Sequence, residues 1–233
     1  MDVLFDGLVE AVGLLWSGDE DSWSIILLTL RVSLTATAVA LLVGVPLGAA
    51  LALVRFPGRR IALAAANTGM GMPPVVIGLF VTVLLWRSGP LGGMELLYTP
   101  AAMVIAQGAI ATPIVVALVA AAVQQVDPDF RVQMQALGAT PVRAFAALLG
   151  EARLPLLAAA MAGFGAVVSE VGAAQMVGGN LAGQTRVLTT AAVLATSRGQ
   201  FSLAIAFGLV LLVIAFGVNL ALTMAQQRRA VPR

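Results

Sequence analysis

Residues 96–126 read LLYTPAAMVIAQGAIATPIVVALVAAAVQQV, without a single charged side chain. A helix needs roughly 20 apolar residues to cross the hydrocarbon core of a bilayer, so this stretch suffices for one crossing. The pattern recurs outward in both directions. Residues 32–54, 61–86 and 199–227 are also free of charge, and 154–185 hold only Glu170. Five segments therefore qualify as spans. The whole chain is 60% hydrophobic and 10% charged, against about 25% charged for a soluble domain. A water-soluble enzyme, a nucleic-acid binder and a disordered tail are excluded; an all-α membrane protein of about five transmembrane helices is expected.

What is missing narrows the chemistry. There is no Cys and no His, which removes disulfides, thiolate nucleophiles and the usual nitrogen or sulfur metal ligands. There is no Lys and no G-x-x-x-x-G-K-[ST] loop, so nucleotide hydrolysis by that route is closed. No catalytic residue and no metal site is predicted. A pI near 10.4 arises from a net charge of only +2 and is read as topology information.

Arginine placement orients the spans, because short cytoplasmic loops are enriched in basic residues. With the N-terminus outside and the C-terminus inside, Arg55, Arg59, Arg60, Arg131, Arg143, Arg153, Arg228, Arg229 and Arg233 fall inside. Arg87, Arg186 and Arg198 fall outside, with Arg31 near the outer end of the first span. Asp2, Asp6, Glu10, Asp19, Glu20, Asp21 and Glu95 also lie outside. The reverse orientation breaks the rule at all three basic clusters.

Residues 1–22 form a separate segment. They lack the basic start and cleavage site of a signal peptide and are expected to remain. Asp2, Asp6 and Glu10 recur every four residues, so one helical face is acidic while Val3, Phe5, Leu8, Val9, Val12 and Leu15 cover much of the rest. That is too short and too polar to cross, and predicts an amphipathic helix on the outer leaflet, with Trp16 and Trp23 in the headgroup zone. Residues 23–226 form the transmembrane domain, and 227–233 a cytoplasmic tail.

The spans carry more Pro and Gly than simple anchors would. Pro46 and Pro113 fall inside apolar stretches, Pro73, Pro74 and Pro155 near span starts, and Gly44 with Gly48 and Gly108 with Thr112 repeat at four-residue spacing. These features predict close helix packing and irregular helices. Glu170 is the one ionisable residue deep in the fourth apolar stretch, where a carboxylate must face the bundle or a wet cavity. Two readings stand: a gate in a solute path, or an interior hydrogen-bond hub that holds helices together or pairs with Arg186.

The longest inside loop, 126–153, runs Asp127-Pro128-Asp129-Phe130, then Val132 to Leu137, then Gly138-Ala139-Thr140-Pro141. Asp129 suits a helix N-cap and Gly138 a helix stop. A short helix outside the membrane results, either a docking element or an ordinary loop.

Here the chain resembles the permease subunits of bacterial ABC importers of the type I fold, whose loop motif is E-A-A-x-x-x-G followed by an apolar residue and L-P. Ala136, Leu137, Gly138, Ala139, Thr140 and Pro141, with Arg143 and Phe145 beyond, match its centre, and Leu154-Pro155 its end. Val132-Gln133-Met134 replaces E-A-A, and Leu-Pro lies about four residues, one helical turn, further on than in many relatives. Thr29-Leu30-Arg31, Met72-Pro73-Pro74-Val75-Val76-Ile77-Gly78 and Ala111-Thr112-Pro113 also look like this family. The resemblance implies that the 126–153 loop couples to an ATPase subunit. It further implies a homodimer, two ATPase copies carrying ATP and Mg, an external substrate-binding protein, no cofactor on this chain, and the bacterial cytoplasmic membrane as the location.

After Glu170 come Gly172, Gly178, Gly179, Asn180, Thr185, Arg186 and Thr189. Sulfate and molybdate permeases show a similar E-x-G-A, G-N, T-R-x-L order, and the V-G-G-N form looks most like the tungstate branch. These residues are the candidate pathway or gate. Backbone amides at the glycines and one outer Arg suit a tetrahedral dianion; turn-forming glycines and a surface Arg are the alternative. Residues 187–197 are apolar but too short to cross, and suggest a re-entrant or pore-lining helix. Molybdate or sulfate is the alternative cargo. A secondary anion carrier driven by an ion gradient is the alternative class, although such a carrier normally shows several buried ionisable residues.

Overall fold

A computed structural model describes residues 2–16 and 19–228. The predicted tail from Arg229 onward lies outside the described residues, as do Met1, Ser17, Gly18 and the side chains of Asp2, Pro128, Arg131 and Arg228. The elements are all helical: α1 (Asp2–Trp16), α2 (Glu20–Leu53), α3 (Arg59–Met70), α4 (Pro74–Leu85), a 3-10 turn at Gly92–Met94, α5 (Pro100–Gln124), α6 (Pro128–Ala136), α7 (Pro141–Glu151), α8 (Arg153–Val168), α9 (Gly172–Gly178), α10 (Leu188–Ser197) and α11 (Phe201–Arg228). Among the described residues α2, α5 and α11 are each long and apolar enough to cross a membrane unbroken. The helix pairs α3 with α4 and α7 with α8 are each bent at a short break, by 103° and 70°, and counting each pair as one span gives up to five by length and composition. The fourth predicted stretch is itself interrupted between α8 and α9, at Ser169 to Val171.

The centre is the pair α2 and α5. α2 starts at Asp19, whose carboxylate accepts from the Ser22 backbone N–H at 3.0 Å and the Ser22 hydroxyl at 2.7 Å. Those two donors hold the Asp19 carboxyl below the usual carboxylate range. Ala36, Ala40, Ala49, Ala111, Val115 and Val119, all buried, bring the two helices together with little side-chain volume between them. Backbones touch at Gly48: a Cβ there would lie 2.6 Å from the Val116 carbonyl oxygen. At Gly44 it would lie 2.6 Å from Val115 Cγ1. Close approach of this kind replaces the hydrophobic drive that lipid cannot supply.

Helices α2 and α5 run continuously through Pro46 and Pro113. The 61–86 stretch bends by 103° between Met70 and Pro74, where the sequence puts Pro73 and Pro74 near a span start. Gly71, Met72 and Pro73 form the break, Pro74 supplies the first residue of α4, and Gly69 seats against the Pro113 ring. Pro113 thus acts as a packing surface for the broken span.

Helix α1 packs one side on the bundle: Gly7 lies against Ile205 and Ser202 of α11, and Ala11 joins the cluster of Ile25, Ile26, Ala206, Phe207 and Val210. Leu4, Phe5, Leu8, Val9, Val12 and Trp16 face outward.

At the basic end of the bundle, Arg59 Nε and Nη2 donate to the Leu51 and Ala52 carbonyls at the end of α2, at 2.5 and 3.2 Å. These are orphan acceptors of the last helical turn, so a cation there is doubly favoured.

Gly48→Ala is expected to lower the melting temperature of the detergent-solubilised protein by several degrees, because overpacking against backbone costs about 1–3 kcal/mol. Gly208→Ala, with open space around its Cβ position, is the control expected to leave melting unchanged. Fluorescence-detected size-exclusion after heating reads both; equal melting of the two variants would contradict the close contact.

Candidate coupling surface and anion passage

Two regions carry the predicted residues, at opposite ends of the bundle. The cytoplasmic one is a pair of helices and not the single helix expected. Asp127, not Asp129, is the cap of α6: its Oδ1 accepts from the Asp129 backbone N–H at 2.9 Å. Pro128 at the first helical position moves the cap two residues upstream.

The helix ends as the sequence suggested. Gly138 adopts φ +73°, its N–H donates to Gln135 O at 2.9 Å, and the Ala139 N–H donates to Met134 O at 3.0 Å. That reverse pairing around a left-handed residue is a Schellman ending. Thr140 then caps α7 by accepting from the Arg143 N–H, and Pro141 opens that helix.

The elbow Ala136 to Pro141 is therefore a short, locally specified turn between two helices. Leu148 is buried in α7 and Phe130 of α6 packs on the α2–α5 core, so both helices are anchored. Their other faces are bare: Leu137 is 81% exposed, Val142 77% and Val132 63%. Phe145 is at the edge of exposure on the same helix as Val142. After α7 the chain turns by 70° into α8, past Leu154 and Pro155.

The second region begins at the break in the fourth span, Ser169 to Val171. Glu170 is buried, and its Oε1 accepts from the Ala173 backbone N–H at 2.8 Å. A carboxylate at the first turn of α9 meets unsatisfied N–H groups. The Glu170 carbonyl accepts from the Thr189 hydroxyl at 3.0 Å, tying the break to α10. Arg186 is not its partner: Arg186 Nε donates to Asn180 Oδ1 at 3.2 Å and Nη2 to the Asn180 carbonyl at 3.4 Å.

The remaining predicted residues are brought together around α9. Gly172 faces Val75 of α4, and Gly178 lies against Met103 of α5. Gly179 turns the chain at φ +72° with the Tyr98 ring where a side chain would be. Thr185, fully buried, donates to Gly178 O and accepts from Leu181 N. The 187–197 segment is the apolar helix α10, as expected, beginning where Thr29 Oγ1 of α2 accepts from the Leu188 N–H at 2.9 Å.

Asn180, a predicted pathway residue, adopts φ +53° and positions Arg186; Tyr98 was not singled out in the sequence. Tyr98, at φ +64°, donates its N–H to Val177 O at 2.8 Å. Asn in a left-handed turn is a familiar pairing, so Gly179-Asn180 was readable as a turn, whereas the Tyr98 contact joins segments far apart in sequence.

The profile described as "Binding-protein-dependent transport system inner membrane component" matches residues 44–231. The chain belongs to this family. The permease is 37% identical over 227 residues, 97% of its length and 100% of the relative's, to the tungstate uptake system permease protein TupB of Peptoclostridium acidaminophilum. It is 35% identical to the protein of that name from Campylobacter jejuni, over 94% of this chain and 92% of that one. Its fold is that of the membrane subunit in inward-facing structures of the MetNI methionine ABC transporter, with a TM-score of 0.66 at 24% identity, covering 88% and 94% of the two chains. The protein is thus a multi-pass inner-membrane transporter component of the type I importer fold, not an enzyme, and its family works with a binding protein.

The Glu170 cap predicts a graded response. Glu170→Gln keeps an oxygen acceptor and is expected to retain most transport and stability. Glu170→Ala leaves a buried N–H unmet, at about 1–3 kcal/mol, and should lower the melting temperature clearly. A Gln variant as damaged as the Ala variant would show that the charge, and not the cap, is what the site needs.

Proposed function

We propose that this permease is the membrane-spanning subunit of an ATP-driven importer of a tetrahedral oxyanion, with tungstate as cargo. The end-to-end likeness to two permeases of tungstate uptake systems carries this reading. The residues from Glu170 to Thr189 support it, being rich in neutral hydroxyl, amide and backbone donors. Such donors suit a dianion that must pass and not be trapped. Two copies of the chain enclose the passage, and Glu170, Gly172, Gly178, Gly179, Asn180, Thr185, Arg186 and Thr189 shape its outer half. The outward apolar face of α1 rests in the outer leaflet.

The exposed elbow is the coupling surface. Ala136, Leu137, Gly138, Ala139, Thr140 and Pro141, with Phe145, offer an apolar, lightly charged tip that water solvates poorly, so it favours a groove on a partner protein. Two copies of an ATPase subunit hold ATP and Mg and receive this tip. Closure of the ATPases moves α6 and α7 together, and the 70° turn into α8 passes that movement to the broken fourth span. An external binding protein delivers the anion on the opposite face. The permease itself makes and breaks no covalent bond.

Reconstitution in proteoliposomes with the ATPase and the binding protein tests the cargo. ATP-dependent accumulation of tungstate is expected, well above that of molybdate or sulfate at equal concentration. Equal uptake of all three would shift the cargo to oxyanions in general, and uptake driven by an ion gradient without ATP would overturn the reading. The elbow has its own test. Gly138→Trp meets open space but a strained left-handed backbone, so the protein should insert while transport falls at least tenfold and ATP hydrolysis loses its dependence on loaded binding protein. Normal transport by that variant would remove the elbow from the coupling path.

A further inference from the structure

Arg31 and Arg186 line one open cleft of about 310 Å³, together with Ser24, Pro100, Gly183 and Gln184. No carboxylate is among the described residues lining it. The Thr29–Leu188 hydrogen bond sets their proximity, since Arg31 lies two residues after Thr29 and Arg186 two before Leu188. Arg186 is already oriented by its two bonds to Asn180, which occupy Nε and one Nη2 hydrogen and leave its other donors available. Arg31 is exposed and has no hydrogen-bond or ion-pair partner among the described residues.

Depth in the membrane follows from helix geometry. Arg31 stands 22 residues from Leu53, where α2 ends, about 33 Å at 1.5 Å per residue. That matches the roughly 30 Å of a hydrocarbon core and places Arg31 at its outer boundary. Two guanidinium groups in one cleft beside a low-dielectric wall repel each other, and a bound anion removes that repulsion. Planar forks of N–H donors match the oxygen edges of a tetrahedral anion, and the Gln184 amide adds a neutral donor.

We propose that the Arg31–Arg186 cleft is an external receiving site for a tetrahedral oxyanion, held between one fixed and one adjustable guanidinium. Its place as the first station of transport rests on the function proposed above. Two solvated cations attract the anion strongly at a distance and release it readily, which a relay from a binding protein requires. The same donors could take the phosphate of an outer-leaflet lipid, and the test separates these sources.

Phenylglyoxal modification of the purified permease in phosphatidylcholine nanodiscs, read arginine by arginine by peptide mass spectrometry, needs neither ATPase nor uptake. Sodium tungstate is expected to slow modification of Arg31 and Arg186 together at least threefold relative to sodium chloride of equal ionic strength, leaving Arg55 and Arg60 unaffected. Arg186→Gln should abolish the protection at Arg31. Absence of protection in the wild-type protein, or protection equal to that by chloride, would overturn the site whatever the variant does. Protection by added phosphatidylglycerol but not by tungstate would assign the cleft to lipid and overturn it as well. Protection by tungstate in a protein that imports none would refute the cargo reading alone, whereas tungstate uptake with unprotected arginines would refute the site alone.

Discussion

A helix that breaks inside a membrane must satisfy its own backbone, because hydrocarbon offers no hydrogen bonds. Much of the outer half of this permease is organised by that constraint at Ser169 to Val171. Glu170 meets the Ala173 amide, Thr189 meets the Glu170 carbonyl, and Thr185 closes the far end of α9 through Gly178 and Leu181. The continuous α2–α5 pair is packed through glycine, alanine and valine, and Thr29 of α2 reaches out to the start of α10. Continuous helices hold the frame and broken ones surround the region of greatest polarity.

The frame was legible in the sequence and the breaks only partly so. Charge-free stretches follow from the energetics of hydrocarbon, which act on single residues, so α2, α5 and α11 stand close to where they were read. Proline was a poorer guide. Inside α2 and α5 the cost of Pro46 and Pro113 is absorbed within continuous helices, whereas the 103° bend falls at Gly71 to Pro73, where a Gly and two prolines succeed one another. A proline's effect depends on what packs against it, and Gly69 against Pro113 is a contact between distant segments.

At the candidate sites local chemistry was readable and pairing was not. The Gly138 ending and the Thr140-Pro141 start depend on neighbours within four residues, and both lie where the sequence placed a turn. The two-residue shift of the cap from Asp129 to Asp127 comes from two acids flanking a proline, either of which could cap. Arg31 was noted as a topological marker near the outer end of the first span. Its meeting with Arg186 depends on Thr29 reaching Leu188 across 159 positions, and no short-range pattern carries that information.

The way these charges are satisfied bears on function. Had Glu170 paired with Arg186, as one reading allowed, each would have cancelled the other and the outer cleft would hold a single cation. Instead Glu170 spends its charge on the backbone N–H of Ala173, and Arg186 is oriented by the neutral oxygens of Asn180. A neutral acceptor fixes a guanidinium without quenching its field, while a carboxylate would do both. The seven residues of α9 lie between the two, so the acid stabilises the break while the half-buried arginine faces the open cleft. That division leaves the guanidinium at the open cleft and keeps the buried acid, the one Asp or Glu buried among the described residues, where a first-turn helix amide meets its oxygen.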